Sequence, residues 1–168
     1  MPKNNLLNPD LVQVQYEAKT KEEVIEKLAK MLIDKGYAKR SYLEAILERE
    51  KVFPTGLPTE GVGVAIPHAD IKHVNIPAIA IAILKNPVEF NVMGNPDEKV
   101  DVNIVFMLAI KEPHMQVNLL KNLVSVFQDK KLLIRLTNTT NKNNIISLLG
   151  EAINLDLQKD DSVYESAN

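Results

Sequence analysis

The 168-residue chain has no cysteine. That absence excludes disulfide frameworks, thiol catalysis and the Cys-containing zinc sites, and it permits a reducing compartment. The chain also lacks an excess of either charge: 20 Lys and Arg stand against 22 Asp and Glu, for a formal net charge of -2. An electrostatic footprint for nucleic acid is therefore missing. No apolar run is long enough to span a bilayer, and residues 1–10 hold one Lys and no apolar stretch, so neither a membrane span nor a leader is expected. There is no internal repeat and no low-complexity tract. What is present is a 45% hydrophobic composition, enough for one core in a single domain. The domain is expected over residues 1–157, with the polar, acidic residues 158–168 as a loose tail.

Periodicity predicts the element order β-α-α-β-β-β-β-α-α. Val12, Val14 and Tyr16 alternate with polar residues as a strand does, and Thr20 with Glu23 forms a Thr-x-x-Glu capping box. The helix that follows carries Val24, Leu28, Met31 and Leu32 on one face and stops at Gly36. Ser41 and Glu44 repeat the box, and the second helix is expected to turn Leu43, Ile46 and Leu47 inward and to end near Arg49 to Val52, because Pro54 cannot continue it. Strands are expected over 62–66, 77–84, 88–92 and 100–108. Between Pro77 and Leu84, Ile79, Ile81 and Ile83 alternate with Ala78, Ala80 and Ala82, which predicts a central strand whose small face accepts a helix. Pro113 opens a helix with Val117, Leu120, Val124 and Phe127 on one stripe, and Ile145 to Ile153 forms the last. Adjacent strands without helical crossovers imply a mixed β-sheet flanked by helices, an α/β fold.

The chemistry-bearing residues are few, and the histidines are His68, His73 and His114. His68 follows Pro67 at the carboxyl end of a predicted strand, where ligands collect in open α/β sheets. His114 falls in the first turn of a predicted helix, where free N–H groups and the dipole favour an anion and a neutral imidazole. Taken singly, His68 also reads as a hydrogen-bonded loop residue, His114 as an ordinary first-turn residue, His73 as a solvated loop residue, and Arg49 as a member of a surface ion pair with Glu48 or Glu50. The Phe53-Pro-Thr-Gly-Leu57 run reads either as a turn or as part of a docking surface. His68, Asp70 and His73 are ligand types that zinc uses, but His-x-Asp-x-x-His around a Pro-bounded corner lacks the helical spacing of a His-Glu-x-x-His motif, and no metal is expected.

Two segments, Leu47-Glu-Arg-Glu-Lys-Val-Phe-Pro-Thr-Gly-Leu57 and Val64-Ala-Ile-Pro-His-Ala-Asp70, resemble the IIA component of the bacterial phosphoenolpyruvate-dependent sugar phosphotransferase system. The likeness is to the fructose/mannitol type and covers roughly residues 10 to 155. The Phe-Pro-Thr-Gly-Leu run, His73, Pro87-Val-Glu-Phe90 and Met93-Gly look most like galactitol-specific members. Where fructose-type and nitrogen-regulatory members carry Ser-Thr-Gly-Ile-Gly-Asn-Gly, this chain has Pro-Thr-Gly-Leu-Pro-Thr-Glu-Gly-Val-Gly, a departure that counts against a regulatory role.

The resemblance implies a cytoplasmic phosphotransferase without cofactor. In it His68 is the phosphoryl acceptor, His114 in Glu-Pro-His-Met-Gln is a second active-site histidine that stabilises the transition state, and Arg49 lies nearby in support. It also implies a phosphohistidine donor, the histidine phosphocarrier protein, an onward acceptor cysteine on a IIB component, and through that the membrane IIC component. Galactitol is the sugar suggested, although a IIA component does not itself bind sugar. The alternatives are a regulatory IIA-like binding module controlled by phosphorylation and, more remotely, a zinc hydrolase. An apolar ring of Phe53, Leu57, Ile71 and Val74 around the corner is expected to dock the partners.

Overall fold

The computed structural model describes residues 6–153, and of residues 113–116 the backbone only. The expected domain end at residue 157 and the tail beyond it lie outside the described residues. After a short 3-10 turn, strand β1 (Val12–Tyr16) leads into helix α1 (Lys21–Asp34). Thr20 caps α1 by accepting the Glu23 N–H at 3.2 Å, while the Glu23 carboxylate accepts the Lys19 N–H at 3.0 Å rather than that of Thr20. Gly36 ends the helix at φ +85°, a conformation that side chains with a Cβ resist.

Helix α2 (Ser41–Val52) departs from its expected start and its expected face. Arg40 is its N-cap and makes no side-chain cap bond, whereas Ser41 Oγ pairs with His73 Nδ1 at 2.8 Å. The buried residues are Tyr42, Ile46 and Glu50, spaced four apart, while Leu43 and Leu47 are only partly buried. Four-residue spacing keeps side chains on one face of a helix, so a carboxylate ends a stripe that an aromatic ring and an isoleucine begin.

The strands also depart from expectation in extent. β2 (Gly56–Leu57) was not legible, because two residues show no period, and the strand expected over 62–66 contracts to β3 (Val64–Ala65). The two strands expected over 77–84 and 88–92 are one, β4 (Ala78–Val92). Its Lys-Asn-Pro stretch falls where the register with β5 (Asn95–Ala109) shifts, between Ile83 and Val88, so Pro87 removes no regular ladder bond. Helix α3 (Pro113–Phe127) begins at the expected proline. The next helix, α4 (Lys130–Thr137), was not expected; Asp129 caps it by accepting the Leu132 N–H at 3.1 Å, and Leu133 and Leu136 are buried. Residues 142–153 form α5.

The five strands form one mixed sheet. β1 runs parallel to β4, β4 antiparallel to β5, β3 parallel to β5, and β2 antiparallel to β3. β4 is central, as expected, and Gly56 of β2 pairs with its far end at Val92. The alternation within β4 sorts the core into two layers. Ala78, Ala80 and Ala82 lie with Val24, Leu28, Leu32, Tyr42 and Ile46 of α1 and α2. Ile79, Ile81 and Ile83 lie with Leu119, Leu123, Leu133, Leu136 and Leu149 of α3, α4 and α5. Helices thus cover both faces of the sheet, and the alanine face lets α1 approach closely.

Candidate functional site

The site forms where β3 and β5 run out side by side. Val64 and Ala65 pair with Ile104 and Val105, and the parallel register continues past β3 to an isolated bridge between His68 and Leu108. Leu108 N–H donates to Pro67 O at 3.0 Å, and the buried Tyr42 hydroxyl donates to Leu108 O at 2.6 Å. Burial pushes the Tyr42 phenol far above its ordinary value, so it stays a donor. The corner at Pro67-His68 is therefore tied to the end of β5 and, through Tyr42, to α2.

His68 is half-buried, and its Nδ1 lies 2.8 Å from Ile66 O. A carbonyl oxygen only accepts, so Nδ1 carries the ring proton and Nε2 keeps its lone pair. Burial is the main cause that lowers the His68 pKa; the Arg49 guanidinium lowers it further, and the Ile66 bond opposes both. At neutral pH the ring is accordingly an uncharged imidazole with its free lone pair on Nε2.

Arg49 lies in the last turn of α2, exposed, with its guanidinium carbon 5.4 Å from the centre of the Phe53 ring. Its sequence neighbours do not take it into a surface pair: Glu48 meets Lys51 at 3.4 Å and Glu50 turns inward to Thr55. Arg49 thus stands near enough to act on the charge of His68. The first turn of α3 follows the end of β5 by a few residues and so opens at the same end of the sheet as His68. His114 is in that turn; its side chain lies outside the described residues.

The other expected residues separate. His73 is half-buried rather than solvated: its Nδ1 faces Ser41 Oγ, and its carbonyl accepts the Lys39 N–H at 2.9 Å. Asp70 accepts the Lys72 N–H at 3.1 Å as a local cap. Among the described residues no group of three His, Asp or Glu side chains converges. Of the apolar ring expected to dock partners, Phe53 is 60% exposed and Leu57 and Ile71 are partly exposed, but Val74 is buried at 2% and does not belong to it. Sequence reasoning missed Tyr42, Glu50 and Thr55. The signal available was the four-residue spacing of Tyr42, Ile46 and Glu50.

The class of fold is thus a mixed sheet covered on both faces, with a neutral, half-buried histidine just past the end of a short parallel strand. The chain belongs to the EIIA 2 family of the phosphoenolpyruvate-dependent sugar phosphotransferase system, whose model matches residues 5–152. It is 39% identical over 147 residues to the transcriptional regulator ManR of Bacillus subtilis, a match that covers 86% of this chain and 21% of that one. The chain therefore spans about a fifth of the length of that regulator. It is 31% identical over 106 residues to the galactitol-specific EIIA component of Escherichia coli K12, covering 63% of this chain and 70% of that one. Among solved structures it resembles enzyme IIAMtl of Escherichia coli in its complex with phosphorylated enzyme IIBMtl, with a TM-score of 0.71 and 26% identity over 86% of this chain and 97% of that one. The described helices include none long and apolar enough to cross a membrane.

Proposed function

We propose that this chain is a phosphoryl carrier whose covalent intermediate forms on Nε2 of His68. The observation that carries the reading is the Nδ1–H bond to Ile66 O on an imidazole whose pKa is lowered. It leaves one nitrogen nucleophilic at neutral pH. In the transfer, the Nε2 lone pair forms the new N–P bond while the N–P bond of the donor phosphohistidine breaks, and the leaving imidazole keeps the electron pair. Charge gathers on the equatorial phosphoryl oxygens, and the first-turn N–H groups of α3, the His114 ring and Arg49 are the donors available to stabilise it. In the onward step a cysteine thiolate attacks phosphorus and Nε2 departs. Phosphohistidine on both sides of the first step keeps it near balance, so positioning and shielding suffice.

The donor is the histidine phosphocarrier protein and the acceptor a IIB component, itself coupled to membrane IIC, all in the cytoplasm or at its membrane face. The family and the likeness to an EIIA structure solved with its phosphorylated IIB partner support this. Similarity to galactitol-specific EIIA supports galactitol as the transported sugar. A second reading, phosphorylation-controlled regulation, is favoured by the 39% identity to ManR. Phosphoenolpyruvate, enzyme I and the histidine phosphocarrier protein are expected to add one acid-labile phosphoryl group, read by intact-mass spectrometry. Stoichiometric labelling of His68→Ala would overturn the acceptor assignment. Passage of the group to a purified galactitol-type or mannitol-type IIB cysteine supports the transport reading, and a phosphoprotein that no IIB discharges supports regulation.

A further inference from the structure

Glu50 is the one acidic side chain among the buried polar residues of the described chain, 4% exposed, in a Glu-Arg-Glu run that reads as surface. A buried carboxylate is costly unless its oxygens are bonded. Here both oxygens are engaged by one residue. Thr55 N–H donates to Oε1 at 2.9 Å, and the Thr55 hydroxyl lies 3.2 Å from Oε1 and 2.9 Å from Oε2. Thr55 is 2% exposed, and its own carbonyl accepts the Ile66 N–H at 3.3 Å. Ile66 in turn presents its carbonyl to His68 Nδ1. The links form an unbroken series from the end of α2 to the imidazole, Glu50 to Thr55 to Ile66 to His68. Gly56 keeps the series from sliding: a Cβ there would stand 2.6 Å from Asn91 O, so the chain just past Thr55 is pressed against β4.

We propose that Glu50 is a positioning residue for His68, acting through Thr55 and the Ile66 carbonyl to hold the ring in the Nδ1–H tautomer with Nε2 free. The proposal rests on the reading of His68 Nε2 as the phosphoryl acceptor. Bonds to a carboxylate are stronger than neutral ones, which makes Glu50 a firm anchor for a two-residue strand that has little ladder of its own. Without it, Thr55 N–H is left buried and unpaired, the Ile66 peptide shifts, and the Nδ1–H bond weakens. The ring then relaxes toward the Nε2–H tautomer that imidazole prefers in water, in which the attacking nitrogen carries a proton.

The experiment uses the full chain with 15N-labelled histidine, as wild type, Glu50→Ala, Glu50→Gln and Thr55→Val, at a pH above the His68 titration. Ring 15N shifts report the tautomer, and rapid-quench phosphorylation by phosphorylated histidine phosphocarrier protein reports the acceptance rate. Wild type is expected to show unprotonated Nε2. Glu50→Ala is expected to move toward the averaged solution tautomer and to accept the group about 10²-fold more slowly, the order of effect for a small misplacement of a reacting atom. Glu50→Gln is expected to restore both, because its amide oxygen accepts from Thr55 N–H and its NH2 donates to the hydroxyl. Thr55→Val, which keeps the N–H, is expected to fall between. Wild-type spectra in folded Glu50→Ala, or slowing with an unchanged ring spectrum, would overturn the proposal. Where Glu50→Ala does not fold, the same results in Thr55→Val decide it. A wild-type chain that carries the phosphoryl group elsewhere than His68 would defeat the functional reading instead, while the ring spectra would still test Glu50.

Discussion

At the scale of single residues, charge state links the site to pH. Two causes lower the His68 pKa, burial first and the Arg49 guanidinium after it, against the opposing Ile66 bond. The acid limb of the acceptance rate is therefore expected below the ordinary histidine value of 6.5. Arg49→Gln is expected to raise that midpoint without bringing it to 6.5, because burial remains; a pH–rate profile of each variant checks it. Glu50 shifts the other way. Burial raises its pKa despite the Thr55 bonds and the charges of Lys21 and Arg49. In the window between the ordinary and the raised value the folded chain binds more protons than the unfolded one, so stability declines as pH rises through it. Glu50→Gln is thus expected to have the higher urea midpoint at neutral pH, with the difference closing below the ordinary carboxyl value of 4.5. Equal midpoints at both pH values would mean that Glu50 ionises without cost.

At the scale of elements, β4 shows how one strand serves two cores. Ala80 is fully buried on the face of α1, and Ile81 fully buried on the face of α3 and α4. Ala80→Leu overfills the close helix contact and is expected to cost about 1–3 kcal/mol. Ile81→Val removes one methylene from the opposite layer and is expected to cost about 0.5–1.5 kcal/mol. Denaturant unfolding of the two variants separates the layers. Both faces of this strand were legible because alternation of alanine with isoleucine is a period-2 signal with a size code. The helical stripe of α1 was legible for the same kind of reason, but the stripe expected of α3 was not: Val117 and Val124 are exposed, and Leu119, Leu123 and Val126 take their place in the core beside Phe127. What was not legible depends on partners far along the chain. Ser41 follows capping grammar but is taken by His73, Gly56 and Leu57 are too short to show a period, and Glu50 looks solvated until α2 packs. The place of His68 past a strand end was legible from the sequence, whereas its tautomer needed the Ile66 carbonyl.

At the scale of the whole molecule, the site occupies one end of the sheet and exposed apolar side chains cluster in sequence beside it. Val52 and Phe53 are 64% and 60% exposed at the end of α2, and Arg49 lies over the Phe53 ring. Apolar centres with an adjacent charge suit transient partners. Phe53→Asp is expected to raise the apparent KM for the donor several-fold with kcat and the circular dichroism spectrum unchanged, and an unchanged KM would remove Phe53 from docking. Val74, being buried, is expected to affect folding instead.

The bridge between His68 and Leu108 also sets a schedule for synthesis. Leu108 leaves the ribosome forty residues after His68, a delay of about 2–8 s at typical elongation rates of roughly 5–20 residues per second. During that interval the segment around Ile66 has no β5 to pair with, so the nascent chain carries an unseated histidine and an open strand edge. Chains stalled before residue 100 are expected to be cut by protease near this corner, and chains stalled well past α3 to resist.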